Sequence, residues 1–142
     1  MLKLFLGMFC AVLFSTGAHA DIGFECRSIQ GSETERKPDV LVQGRLGNDH
    51  SLTEVELLLE DLADETFHSF LKRESIQADA KYRPRDAKMA GFRRFDLGSS
   101  ESDDLFEVYL PKDASVGAGA GYFSFAFDRE TPATRELSCT FR

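Results

Sequence analysis

Ser51-Leu52-Thr53-Glu54-Val55-Glu56-Leu57-Leu58-Leu59-Glu60-Asp61-Leu62-Ala63-Asp64-Glu65 fits two periodic templates, and the choice between them decides whether the chain is all β. Leu52, Val55, Leu59 and Leu62 recur at helical spacing, and Ser51-Leu52-Thr53-Glu54 has the form of a capping box. Val55, Leu57 and Leu59 also alternate, as on a strand with one buried face. A strand over 53–60 completes a sheet with its neighbours and is the favoured reading; a short helix over 51–65 is the alternative.

The neighbouring segments read as strands. Ile22, Phe24 and Cys26 alternate with Gly23, Glu25 and Arg27. Val40, Val42 and Leu46 share a face, with Gly44 placed for a bulge. Phe106, Val108 and Leu110 form one face of the next run, and Leu105, Glu107 and Tyr109 the other. Phe123, Phe125 and Phe127 alternate with small residues, and Leu137, Cys139 and Phe141 with polar ones. Polar connectors separate these runs: 31–39, Gly47-Asn48-Asp49, 98–104, 111–121 and 128–134. The glycines between Gly117 and Gly121 read as a turn entering the Phe123 strand. The expected fold is all-β: an antiparallel sandwich or small barrel of about 7–8 strands.

Met1–Ala20 reads as a secretory signal peptide. Lys3 opens it, Leu4–Phe14 is apolar, and Ala18-His19-Ala20 suits cleavage after Ala20. The run is shorter than the roughly 20 residues that cross a bilayer. Residues 21–142 then form a single β-rich domain with no transmembrane segment. Strands of a spanning barrel need an apolar outer band, and the outer positions here hold Glu25, Arg27, Glu107 and Glu136. A secreted or periplasmic location puts Cys26 and Cys139 in an oxidising compartment, where they are expected to form one disulfide joining the first and last strands.

The chain carries 24 acidic against 17 Lys and Arg residues, a net charge of −7. That balance opposes nucleic-acid binding, which rests on neutralising phosphates. Against it stands a basic stretch, Ala80–Leu97, with Lys81, Arg83, Arg85, Lys88, Arg93 and Arg94 interleaved with Tyr82, Phe92 and Phe95. Guanidinium groups grip phosphate, sulfate or carboxylate in paired hydrogen bonds. Lys81, Arg83, Arg85, Arg93 and Arg94 are therefore the candidate binding residues. The same charges would equally protect an edge strand from aggregation.

Other constellations are weaker. Glu60, Asp61, Asp64 and Glu65, and again Glu101, Asp103 and Asp104, are acidic clusters without calcium-loop spacing and read as solvated loops or a charged surface. His50 and His68 each adjoin a serine, but a triad is assembled in space, with a base between nucleophile and acid. Gly117–Gly121 lacks the ending of a phosphate loop. No catalytic residue, metal or cofactor is assigned. The expectation is a secreted or periplasmic non-catalytic module that binds an anionic glycan, a lipid headgroup or an acidic protein partner. The alternatives are a small cell-envelope hydrolase acting on glycan or peptide, and an inhibitor or structural envelope protein acting through a loop such as 111–121.

Overall fold

The alternating runs pair with one another in chain order. The computed structural model describes residues 21–30, 37–84, 86–98, 105–126 and 133–142. It contains β1 (Ile22–Ser28), β2 (Val40–Leu46), β3 (Ser51–Asp61), β4 (Thr66–Gln77), β5 (Phe92–Asp96), β6 (Leu105–Pro111), β7 (Gly117–Ala126) and β8 (Ala133–Phe141). A 3-10 turn at Ala87–Met89 is the sole helical element among the described residues. The strands form one eight-stranded antiparallel sheet in the order β4-β3-β2-β1-β8-β7-β6-β5. The sheet curls into a half-barrel, so the barrel-like of the two expected arrangements is the one adopted.

Each strand pairs with its sequence neighbours, and β1 pairs with β8; the one break is between β4 and β5. The two edges nevertheless approach along this seam. Arg73 Nε donates to the Leu97 carbonyl at 3.0 Å, and the Asp79 amide donates to the Arg94 carbonyl at 2.9 Å. Phe70 of β4 meets Phe106 of β6 edge-on at 5.2 Å.

The concave face holds the core: Phe24, Cys26, Val42, Leu52, Val55, Leu57, Phe95, Phe106, Val108, Leu110, Phe123, Leu137, Cys139 and Phe141 are all buried. Period-two alternation places them there, since successive side chains of a strand point to opposite faces. Cys26 and Cys139 stand directly opposite each other in the β1–β8 register and form the expected disulfide. An enclosed bond of this kind suggests an oxidising, extracytoplasmic location. No helix among the described residues is long and apolar enough to cross a membrane. Residues 1–20 lie outside the described residues.

Residues 51–61 are strand, not helix. Val55 and Leu57 are buried, while Leu62, which the helical phase would bury, is 43% exposed in the following turn. The residue at the would-be helix cap, Ser51, instead gives its amide and hydroxyl to Asp49 Oδ1. The register does shift between Gln43 and Arg45, but the extra residue lies on β3, where Glu54 takes φ 53°; Gly44 is the residue facing the bulge, not the bulge itself.

Two further readings need correction. Gly117–Gly121 is not a turn but the first half of β7, paired residue for residue with Leu137–Phe141. Glycines suit it because a β-carbon on Gly119 would lie 2.8 Å from the Phe141 ring, and one on Gly121 would lie 3.1 Å from Cys139 Sγ. Glu60 is not a solvated loop residue either. It is buried, with Oε1 accepting the Asp39 amide at 3.2 Å. Asp39 is buried beside it and accepts from Arg27 (2.7 Å), Ser28 (3.3 Å) and Gln30.

Candidate functional site

Residues 78–84 and 86–91, between β4 and β5, form a strap over the convex face of the sheet. Pro84 and the polar run around it keep this strap out of the ladder. Asp79 anchors its start: the carboxylate accepts the Lys81 amide at 2.9 Å and pairs with the Arg94 guanidinium. Asp86 caps the 3-10 turn by accepting the Lys88 amide at 3.2 Å.

Beneath the strap, cross-strand register lines up one row of side chains. Arg94 of β5 stands opposite Tyr109 of β6, which stands opposite Tyr122 of β7. These are the outward positions of strands whose inward positions form the core. Tyr82 of the strap covers the row, with the Arg94 guanidinium 5.3 Å from its ring centre and the Tyr109 ring 5.6 Å away. Lys88 Nζ sits 5.6 Å from the Tyr122 ring centre, a cation–π distance. The Tyr109 hydroxyl donates to Glu107 Oε2 at 2.7 Å.

Strap and row enclose a groove of about 800 Å³. Tyr82, Tyr109, Tyr122, Pro84 and Met89 give it apolar and aromatic walls, and Lys81, Arg83, Lys88 and Arg94 give it charge, with Asp86 the one acidic lining residue. Arg94 is engaged by Asp79 and by Glu107 at 3.8 Å. Lys81, Arg83 and Lys88 form no ion pair among the described residues, and Arg83 spends its donors on the carbonyls of Ala80 and Tyr82. Burial pushes the Tyr109 hydroxyl far above the ordinary phenol range, with the Glu107 hydrogen bond and charge adding to it. Burial also raises Tyr82. Both rings are thus neutral stacking surfaces at physiological pH. The Lys81 amide and then Arg94 hold the Asp79 carboxyl below its usual range.

The five candidate residues fall in different places. Lys81, Arg83 and Arg94 line the groove. Arg93 does not join them, because adjacent strand residues point to opposite faces and Arg93 lies on the concave side. Arg85 lies outside the described residues. Tyr109 and Tyr122 belong to the site although their sequence context does not mark them as binding residues. Their one signal is phase, since each is an aromatic residue out of step with the buried set of its strand.

His50 and His68 lie at opposite ends of the sheet, one after β2 and one in β4. Thr66 Oγ1 donates to Asp64 Oδ1 at 2.6 Å and lies 2.8 Å from His68 Nε2. Here the hydroxyl stands between acid and imidazole, not the base between acid and hydroxyl as a triad requires. Ligand atoms of Asp61, Asp64 and His68 lie within 4.8 Å of one another, all exposed. Both carboxylates already serve turn amides, those of Ala63 and Thr66. Glu101, Asp103 and Asp104 lie outside the described residues, as does Phe127. The exposed loop between β6 and β7 is shorter than the sequence suggests, because β7 already begins at Gly117.

The chain matches no protein-family model, no curated protein and no solved structure.

Proposed function

We propose that this is a secreted or periplasmic, non-catalytic binding module that takes an anionic glycan in the groove under the strap. The observation that carries the reading is the registered row Arg94–Tyr109–Tyr122 roofed by Tyr82 and flanked by Lys81, Arg83 and Lys88. Sugar rings present an apolar face that stacks on neutral aromatic rings, and sulfate or uronate groups meet unpaired cations at the rim. A lipid headgroup or an acidic protein would use the same cations but would not need the half-buried tyrosine row.

The test is a thermal-shift titration of the oxidised protein with sulfated and uronate-bearing oligosaccharides at low and moderate salt. A ligand at 100 times its Kd stabilises by about 2.7 kcal/mol. We expect a shift that shrinks as salt rises, because exposed charges are screened, and that is lost in both Arg83→Ala with Lys88→Ala and Tyr122→Ala. A shift that survives these changes, or none with any anionic glycan, overturns the reading.

A further inference from the structure

Arg93 is the basic residue that the groove leaves out, and it has a cavity of its own. We propose that Arg93 anchors a second site, independent of the groove, for a small aliphatic carboxylate. In the β5–β6 register Arg93 stands opposite Leu110, which is buried in the core, so the arginine too lies on the concave face. Arg93 is half-buried; its Nε, like that of Arg94, is shielded from solvent and has no hydrogen-bond partner among the described residues, so the outer edge of the guanidinium is what the cavity can offer. Folded proteins rarely bury a donor without an acceptor, and a charged donor left in this way is suited to receiving an anion.

The cavity around it is about 110 Å³ and opens at the end of the half-barrel where the β2–β3 and β6–β7 turns lie. Leu46, Phe95, Pro111 and Ala114 supply apolar walls, and Lys112 and His50 add two more basic side chains. Among the described residues no carboxylate lines it, in a chain whose net charge is −7. Beside the lining residue Gly47, Asp49 is occupied by the Ser51 amide and hydroxyl, and Asp21 pairs with Arg45 at 3.7 Å. An arginine in an apolar recess selects a ligand with a planar anionic head and a short hydrocarbon tail. The head takes the guanidinium edge through two parallel hydrogen bonds. Ordinary ligand pockets run to roughly 300–1,000 Å³, so this one admits only a few heavy atoms. The chemical class is that of acetate to butyrate.

The experiment follows arginine Nε–H and backbone amide NMR signals of the purified, disulfide-bonded protein on addition of sodium butyrate, with inorganic phosphate as the second arm. We expect saturable shifts at the Arg93 Nε–H and at Leu46, Phe95 and Ala114. Arg93→Met should weaken butyrate by about tenfold or more, as loss of a charge-assisted bidentate pair does, while Lys72→Ala leaves it unchanged. Phosphate should move these signals less than butyrate. The proposal is overturned if butyrate shifts persist in Arg93→Met, or if phosphate saturates the same signals while butyrate does not. Should Arg93→Met fail to fold, the wild-type signal decides: an Arg93 Nε–H unmoved by butyrate overturns the proposal equally.

Discussion

Gly121 and Asp39 show how single residues hold this sheet, one by lacking atoms and the other by charge. A β-carbon on Gly121 would stand 2.9 Å from the Tyr109 carbonyl oxygen and 3.1 Å from Cys139 Sγ. Neither neighbour can swing away, since one is backbone and the other is tied in a disulfide. Gly121→Ala should therefore cost about 1–3 kcal/mol, as overpacking does, read from urea denaturation. Asp39 works through its carboxylate. Burial alone would raise it, but hydrogen bonds from Arg27, Gln30 and Ser28 and the Arg27 charge outweigh burial and hold it below the ordinary carboxylate range. A group depressed in the folded state stabilises fully above its unfolded value of about 3.9 and stops doing so as pH falls through the folded value. Asp39→Asn should cost about 1.5–3 kcal/mol at neutral pH, the worth of hydrogen bonds to a charged group. Its penalty should then shrink in melts taken progressively below pH 4.

At the scale of elements, the strap is fastened at its start by Asp79 and over the tyrosine row by Tyr82 and Lys88. Asp79 ties it to β5 through Arg94 and shapes its first turn through the Lys81 amide. Asp79→Ala should speed hydrogen exchange across residues 80–91 while leaving β1, β2 and β8 protected. Exchange spread evenly over the sheet would show instead that the pair supports the whole fold. The elements also differ in how openly the sequence declares them. β1, β6 and β8 bury alternate residues on one face only, and their patterns read directly. β3 is ambiguous because its bulge at Glu54, facing Gly44, breaks strict alternation. β4 is hidden. It is an edge strand whose half-buried residues, Phe67, Leu71, Arg73 and Ile76, follow neither a strand nor a helix period. β5 is masked by its arginines, one of which points into the barrel against the usual cost of burying charge. The site is legible as a basic stretch but not as a groove. Its tyrosine row exists only once β5, β6 and β7 are in register.

For the whole molecule, the sheet consists of two four-stranded halves, β1–β4 and β5–β8, joined along β1–β8 and by the strap. The disulfide stands on the first of these joints, across a sequence separation of 113. Chain-entropy treatments assign such a loop roughly 4–5 kcal/mol, and removing a native bridge from a small secreted domain costs about 2–5 kcal/mol. Replacing Cys26 and Cys139 together by Ala should lower the urea midpoint accordingly. A midpoint within error of the wild type would mean that β1–β8 pairing suffices without the bond. The same joint brings Arg142 against Gly23, each amide donating to the other's carbonyl at 2.8 and 2.9 Å. The backbone from Gly23 to Arg142 thus closes on itself through hydrogen bonds. A short linker from residue 142 to residue 21 would close it, and new ends cut into residues 80–90 would fall where the sheet already has its edges. Such a circular permutant would keep every strand pair of the native protein, and its strands would run in unbroken sequence from one edge of the sheet to the other.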